Sequence, residues 1–288
     1  MEIEEIPLYG QNKQRDSEID NLLLSSKIDT TKNIERAPTI LSIKERGAGQ
    51  FVNKRLFTLG NFSCLIGKAK SRKTFLLSLL TAGVIRSDNK FYSEIPTGKT
   101  TILYFDTEQG EYDSLNVIKR IEYMTGNKEI IKAFMLREYT PSQRCDILER
   151  AFELWGDVTA LCVIDGAADL ATAINDEEEA TRVTSMFLRL TKVYNCHIAT
   201  VLHQNKNDGY ATGWIGSQIM KKAEAIISVT KKEGGISLVN CDLSRGIDFA
   251  PFEITINQSG IPIVCDGKTE LIDYEYPIND QQKDNCPF

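Results

Sequence analysis

From about residue 56 the chain alternates short apolar runs with stretches whose apolar positions recur at helical spacing. The apolar runs read FSCLIG (62–67), TTILYFD (100–106), AFMLREY (133–139), ALCVID (160–165), HIATVLH (197–203), AIISVT (225–230) and ISLVNCDL (236–243). Helical spacing fills most of the gaps, at 73–86, 113–124, 142–154, 177–194 and 216–222. Several runs are apolar on consecutive positions, which is how strands covered on both faces of a parallel sheet read. Strand–helix alternation with short connections predicts an α/β domain built on a mostly parallel sheet flanked by helices. After residue 223 the helical spacing stops, and the runs follow one another through KKEGG and NQSG, turn sequences that predict an antiparallel edge near the C-terminus. One domain over 41–270 accommodates all of this. Residues 1–40 are polar and charged, and read as a flexible arm with one short helix around Ile19–Leu24; residues 271–288 read as a tail.

Composition narrows the chemistry. With 288 residues, 42% of them hydrophobic, the chain can bury a core without disulfides or metals. The net charge of −6 means that it does not coat nucleic acid passively, so any such contact has to be local. Seven cysteines include no C-x-x-C pair, and Cys64 and Cys162 sit inside apolar runs. Buried, reduced thiols in a cytoplasmic protein are the expectation. There is no signal peptide and no apolar run long enough to span a bilayer, so no membrane partner is expected.

The stretch GKAKSRKT (67–74) nearly matches the phosphate-loop pattern G-x-x-x-x-G-K-[ST]. Gly67, Lys73 and Thr74 fit; Arg72 stands where the second glycine belongs. Such a loop works because backbone N–H groups and a helix N-terminus point at anionic oxygens, while its lysine reaches the terminal phosphates and its hydroxyl binds magnesium. The context agrees, since a strand enters and a helix with Phe75, Leu76, Leu79 and Leu80 on one face leaves. The nucleotide-binding stretch is therefore Gly67, Lys68, Ala69, Lys70, Ser71, Arg72, Lys73, Thr74 and Phe75, with ATP and Mg2+ as the expected ligands. Arg72 removes a glycine and adds a charge beside the site; Lys68 and Lys70 add to that charge.

A loop that hydrolyses ATP also needs carboxylates at strand ends, one for magnesium and one to orient the attacking water. LCVIDG ends its apolar run at Asp165, although an aspartate at a strand end is common by itself. FDTEQ carries Asp106 and, two residues on, Glu108, which either reaches a water in line with the γ-phosphate or is an ordinary solvated acid. The residues of HQNKNDGYATGWIGSQ (203–218) form a polar, glycine-containing connection. Its Lys206, Tyr210 and Trp214 supply one charge and two flat rings, either the ingredients of a single-strand contact or, since one lysine is a thin basic patch, an ordinary flexible loop. Lys221 and Lys222 follow. The acidic run NDEEEA (175–180) reads as a solvated helix start suited to the helix dipole.

In this order, GKAKSRKT, FDTEQ, VIDGAADL, NCHIATVLHQNK, GSQIM and CDLSRG resemble the RecA-like P-loop ATPases. Within them they look most like the hexameric helicase group that includes plasmid RepA helicases and the DnaB type, with a variant Walker A loop. The resemblance implies that Glu108 is the catalytic base, that Asp165 and Thr74 hold the metal, and that His203 or Gln204 senses the γ-phosphate. It further implies that Arg245 is a finger on a neighbour's nucleotide, and that the loop holding Lys206 faces a central pore and single-stranded DNA. The helicases often have a lysine two positions before the finger; here that position is Leu243. The implied function is an ATPase, helicase-like, acting on DNA as a homo-oligomer, a hexameric ring, in replication or mobilisation of a plasmid or mobile element. The alternative is a nucleotide-dependent switch or assembly scaffold with little or no turnover, which Arg72 and the acidic charge favour.

Overall fold

Residues that are apolar on consecutive positions must be covered on both sides, and the strands that carry them lie inside a nine-stranded sheet. The computed structural model describes residues 13–47, 50–204 and 211–265. The chain divides into two units, Met1–Arg36 and Ala37–Phe288. The first contains helix α1 (Lys13–Ser26), whose Leu22, Leu23 and Leu24 are exposed.

The second unit begins with β1 (Thr39–Gly47), β2 (Gln50–Thr58), β3 (Phe62–Gly67), α2 (Lys73–Ile85), β4 (Phe91–Tyr92), β5 (Thr101–Asp106) and α3 (Glu111–Thr125). It continues with β6 (Ile131–Met135), α4 (Pro141–Trp155), β7 (Thr159–Asp165), α5 (Glu177–Tyr194) and β8 (His197–His203). After α6 (Gly213–Lys222) come β9 (Ala225–Lys231), β10 (Ile236–Ser244), β11 (Phe252–Ile256) and β12 (Pro262–Cys265). The large sheet runs β12-β11-β10-β9-β3-β8-β7-β5-β6. Its strands from β9 to β6 pair in parallel, and β10, β11 and β12 add antiparallel at the edge beside β9.

Alternate residues of one strand feed two cores. Leu65, Tyr104 and Val163 pack with Leu76, Leu80, Val117 and Ile121 of α2 and α3. Cys64, Ile66, Phe105 and Ile164 pack on the other face with Leu148 of α4, Phe187 of α5 and Ile215 of α6. That division explains why these runs lack the polar–apolar alternation of a half-exposed strand.

Two details differ from the sequence pattern. The run 133–139 yields a strand only to Met135, because the outermost strand β6 has Met135 exposed and the chain then turns, Tyr139 N–H donating to the Leu136 carbonyl at 3.1 Å. Thr140 and Gln143 then form a reciprocal cap that starts α4. The hairpin of β1 and β2, with β4 at its side, is a separate three-stranded sheet that the alternation from residue 56 does not contain.

A buried polar cluster joins this hairpin to the start of the large sheet. The Thr58 N–H and hydroxyl donate to the Glu224 carboxylate at 3.1 and 2.5 Å, and Arg55 reaches the same carboxylate at 3.4 Å. His197 lies with Nδ1 2.8 Å from the Thr58 carbonyl, its ring stacked on Phe57 at 4.5 Å. Burial pushes the His197 imidazole down from 6.5 to about 4, against the pull of Glu224. The unfolded chain therefore binds a proton that the folded chain refuses, so stability is complete above pH 6.5 and is lost as the pH falls toward 4. At about 1.4 kcal/mol per unit the loss amounts to about 3 kcal/mol. Denaturant titrations of wild type and His197→Gln at pH 7 and pH 5 check this: the variant should lose less stability over that interval than wild type.

Candidate functional site

The loop between β3 and α2 is shaped by close approaches. A Cβ on Gly67 would stand 2.6 Å from both the Val229 carbonyl oxygen and Ser71 Oγ, so only glycine fits. Lys70 (φ 62°) and Arg72 (φ 76°, ψ 29°) are left-handed, and Arg72 holds the N-cap position of α2 without a side-chain capping bond. The sequence departure thus keeps the backbone conformation that a glycine adopts freely, at a cost on the order of 1 kcal/mol. The Arg72 side chain points to the β9–β10 turn, where Nη1 donates to the Gly235 carbonyl. Lys68, Ala69 and Lys70 are exposed at the mouth, Ser71 is buried, and Phe75 lies under the Arg120 guanidinium at 4.1 Å.

Lys73 is buried, with Nζ donating to the Gly67 and Lys68 carbonyls at 3.0 Å each and lying 3.3 Å from His203 Nδ1. Burial lowers its pKa, while Glu108 and Asp165 pull it back up. The Thr74 hydroxyl donates to Asp165 Oδ2 at 2.8 Å. Asp165 is pushed up to about 7, chiefly by burial, with Asp106 and Glu108 adding to the effect. A hydroxyl and a buried carboxylate side by side are the hard oxygen donors that magnesium prefers, and they fit that ion.

Asp106 and Asp165 are register partners on adjacent strands, yet their surroundings separate them. Asp106 accepts from the N–H groups of Glu108 and Gln109 at 3.1 and 2.9 Å and from the side chains of Gln109 and Ser114 at 2.8 and 2.9 Å. Its carboxylate shapes the turn that projects Glu108. Glu108 Oε1 lies 3.3 Å from His203 Nε2, and that bond holds the Glu108 carboxyl below the usual range despite partial burial. One neutral tautomer of His203, protonated on Nε2, satisfies both contacts: it accepts from Lys73 and donates to Glu108. Gly166, at φ 124°, leaves room for this arrangement, since its Cβ would come within 2.8 Å of Glu108 Oε1.

Lys73, Thr74, Glu108, Asp165 and His203 border one cavity of about 460 Å³, together with Asn116 and Arg120 of α3. The sequence reading missed the α3 wall. Its signal was there, an arginine on the stripe of Val117, Ile121 and Met124, the buried face of the helix. Arg120 donates to the Gly260 carbonyl at 3.1 Å and to Ser78 Oγ at 3.3 Å.

Other sequence candidates lie elsewhere. Gln204 donates its backbone N–H to the Gly67 carbonyl at 3.1 Å and pairs with Ala211. Lys206 and Tyr210 lie outside the described residues, and Trp214 is exposed in the first turn of α6. Arg245 is exposed beyond β10, and its Nη2 donates to the Lys222 carbonyl at 2.8 Å. Because β10 is antiparallel to β9, which runs with β3, Arg245 stands at the opposite end of the sheet from Gly67.

Lys73→Ala removes the buried ammonium that bonds the Gly67 and Lys68 carbonyls and lies on the cavity that Glu108 and Asp165 also border. ATP affinity should fall on the order of hundredfold, the worth of two charge-assisted bonds. Titration calorimetry with magnesium present checks this, and unchanged affinity would show that the loop does not hold the phosphates.

Three comparisons bear on this geometry. The family model described as "AAA domain" matches residues 50–209, more than half of the chain. No curated protein sequence matches. Among solved structures, a KaiC-like protein from the hyperthermophilic archaeon Pyrococcus horikoshii is 11% identical with a TM-score of 0.52, over 73% of this chain and 91% of that one. The RadB recombinase is 13% identical with a TM-score of 0.50, over 72% of this chain and 91% of the other. A solved ATPase domain is 11% identical with a TM-score of 0.50, over 68% and 81%. The shared fold is the RecA-like P-loop ATPase fold. Among the described residues no helix is long and apolar enough to cross a membrane.

Proposed function

We propose, because the chain belongs to the AAA domain family, that it binds and hydrolyses ATP with Mg2+ and acts on DNA as a homo-oligomeric ring. The observation that carries the reading is the meeting of Thr74 and Asp165 at 2.8 Å on the cavity that Lys73 and Glu108 also border. Lys73 leaves the Gly67 and Lys68 carbonyls for the β and γ oxygens of ATP. Thr74 and Asp165 would hold Mg2+, which when bound neutralises charge developing on those oxygens. Glu108 orients the attacking water and takes its proton, and His203, in contact with both Lys73 and Glu108, reports whether a γ-phosphate is present. Arg245, a full strand length from its own loop, serves the neighbouring subunit.

A DNA substrate is supported by the likeness to a recombinase and by the stretch from Lys206 to Trp214, and we assign the activity to replication or mobilisation of a plasmid or similar element, in the manner of RepA or DnaB helicases. The closing experiment is steady-state ATP turnover with and without single-stranded DNA. Stimulation by DNA is expected; turnover that ignores DNA would remove the nucleic-acid half of the proposal. A second reading, a nucleotide-dependent switch with little turnover, is favoured by the Glu108–His203 contact, which occupies the base, and predicts tight binding with no phosphate release.

A further inference from the structure

We infer that Arg72 is a positioning residue that latches the phosphate loop to the β9–β10 turn. The inference rests on the nucleotide-site reading and deepens it. An arginine in the left-handed region is disfavoured relative to glycine, so the conformation persists only where surrounding structure holds it. What holds it here is visible. The Arg72 guanidinium donates to the Gly235 carbonyl, and the same oxygen accepts from Thr255 Oγ1 at 3.3 Å, so the acceptor is itself fixed from β11. One residue earlier a second tie runs in the opposite direction, Ser237 Oγ donating to the Ser71 carbonyl at 3.3 Å. The turn that receives the latch is tight: Gly234 and Gly235 have φ of 70° and 76°. A Cβ on Gly235 would stand 3.7 Å from Arg72 Nη2, in contact with the guanidinium.

Loop and turn are therefore joined twice, by residues 71 and 72 on one side and 235 and 237 on the other. Arg72 borders the cavity, and its guanidinium is bonded to the neutral Gly235 carbonyl of the antiparallel edge. Its part in nucleotide binding is to fix where the loop N–H groups aim. In return the edge strands β10 and β11, which contribute no side chain to the cavity, become the support of the phosphate loop. A glycine at position 72 would adopt the same φ without strain but leave the loop tied through Ser71 alone.

Two measurements on the full chain test this. In nucleotide-free protein, Arg72→Gly should speed amide hydrogen exchange at residues 235–237 and at 71–74 while the rest of the sheet keeps its protection; identical exchange in wild type and variant overturns the latch whether or not the chain binds ATP. In calorimetric titrations with magnesium, Arg72→Gly should weaken ATP and ADP alike, roughly tenfold, the lower range for one charge-assisted bond. Arg72→Lys, which keeps a donor, should recover part of that loss. Selective loss of ATP over ADP would instead make Arg72 a γ-phosphate ligand, and wild-type affinity in Arg72→Gly would make it a bystander; either overturns the proposal. Lys73→Ala in the same series separates the two levels: if it binds ATP as wild type does, the nucleotide-site reading fails, and the exchange experiment still decides the latch.

Discussion

Subunits carrying Arg245→Ala should bind ATP normally and turn it over slower by a factor on the order of 10³–10⁵, the range for a finger that meets the transferring phosphoryl group. The fold places Arg245 away from its own loop, as the proposed action on a neighbour requires. β3 ends at the phosphate loop, β9 runs parallel to it, and β10 returns antiparallel, Ser244 pairing with Ala225 at the start of β9. Arg245 is thus displaced from its own loop by about 20 Å, the length of a six-residue strand at roughly 3.3 Å per residue. Its present bond to the Lys222 carbonyl also caps the end of α6, and that supplies a competing structural role. Two readouts separate the roles. Specific activity of wild type should rise with protein concentration as subunits associate. Mixing Arg245→Ala with Glu108→Gln subunits should then restore part of the activity, because some interfaces pair an intact Glu108 with an intact Arg245. Activity per subunit that is flat on dilution, with a mixture that stays inactive, would leave Arg245 as a helix cap and remove the ring.

Glu108→Gln should keep ATP binding and lose hydrolysis by a factor on the order of 10²–10⁴, the contribution of a positioned base. Glutamine preserves size and can still meet His203, so the cavity keeps its shape while the proton acceptor goes. The His203 bond, the first cause of the lowered Glu108 pKa, favours the ionised carboxylate, the form that can take a proton, while making it a weaker base that must leave His203 to act. Single-turnover phosphate release, alongside equilibrium binding, measures the split. Release at the wild-type rate would mean that Glu108 is a solvated acid, and Asp169, which takes the Thr107 hydroxyl at 2.7 Å, would be the next carboxylate to test.

Much of the candidate site was legible because the loop at 67–74 is a local object. Gly67, Lys73 and Thr74 sit within eight positions between a strand and a helix, and the chemistry that selects them acts across one turn. Asp165 stood out only as an aspartate at the end of an apolar run, a common feature by itself. The separation of Asp106 from Glu108 was not, since both are acids in FDTEQ; only the folded turn gives Asp106 four donors and leaves Glu108 to His203.

By itself the sequence determined the α/β class and the antiparallel edge, and it pointed to a nucleotide loop at 67–74, because each is written in spacing over a few neighbouring residues. Strand order, the β1–β2 hairpin and the α3 wall of the cavity were decided by tertiary structure. So was the fate of Arg72, whose partner Gly235 lies 163 positions away, and of His203, which meets Lys73 across 130. A periodic pattern reports which face of an element is covered, but not by what. Contacts across such separations are set by how the elements stack, and only the packed sheet turns Arg72 to a carbonyl and places the His203 imidazole between Lys73 and Glu108.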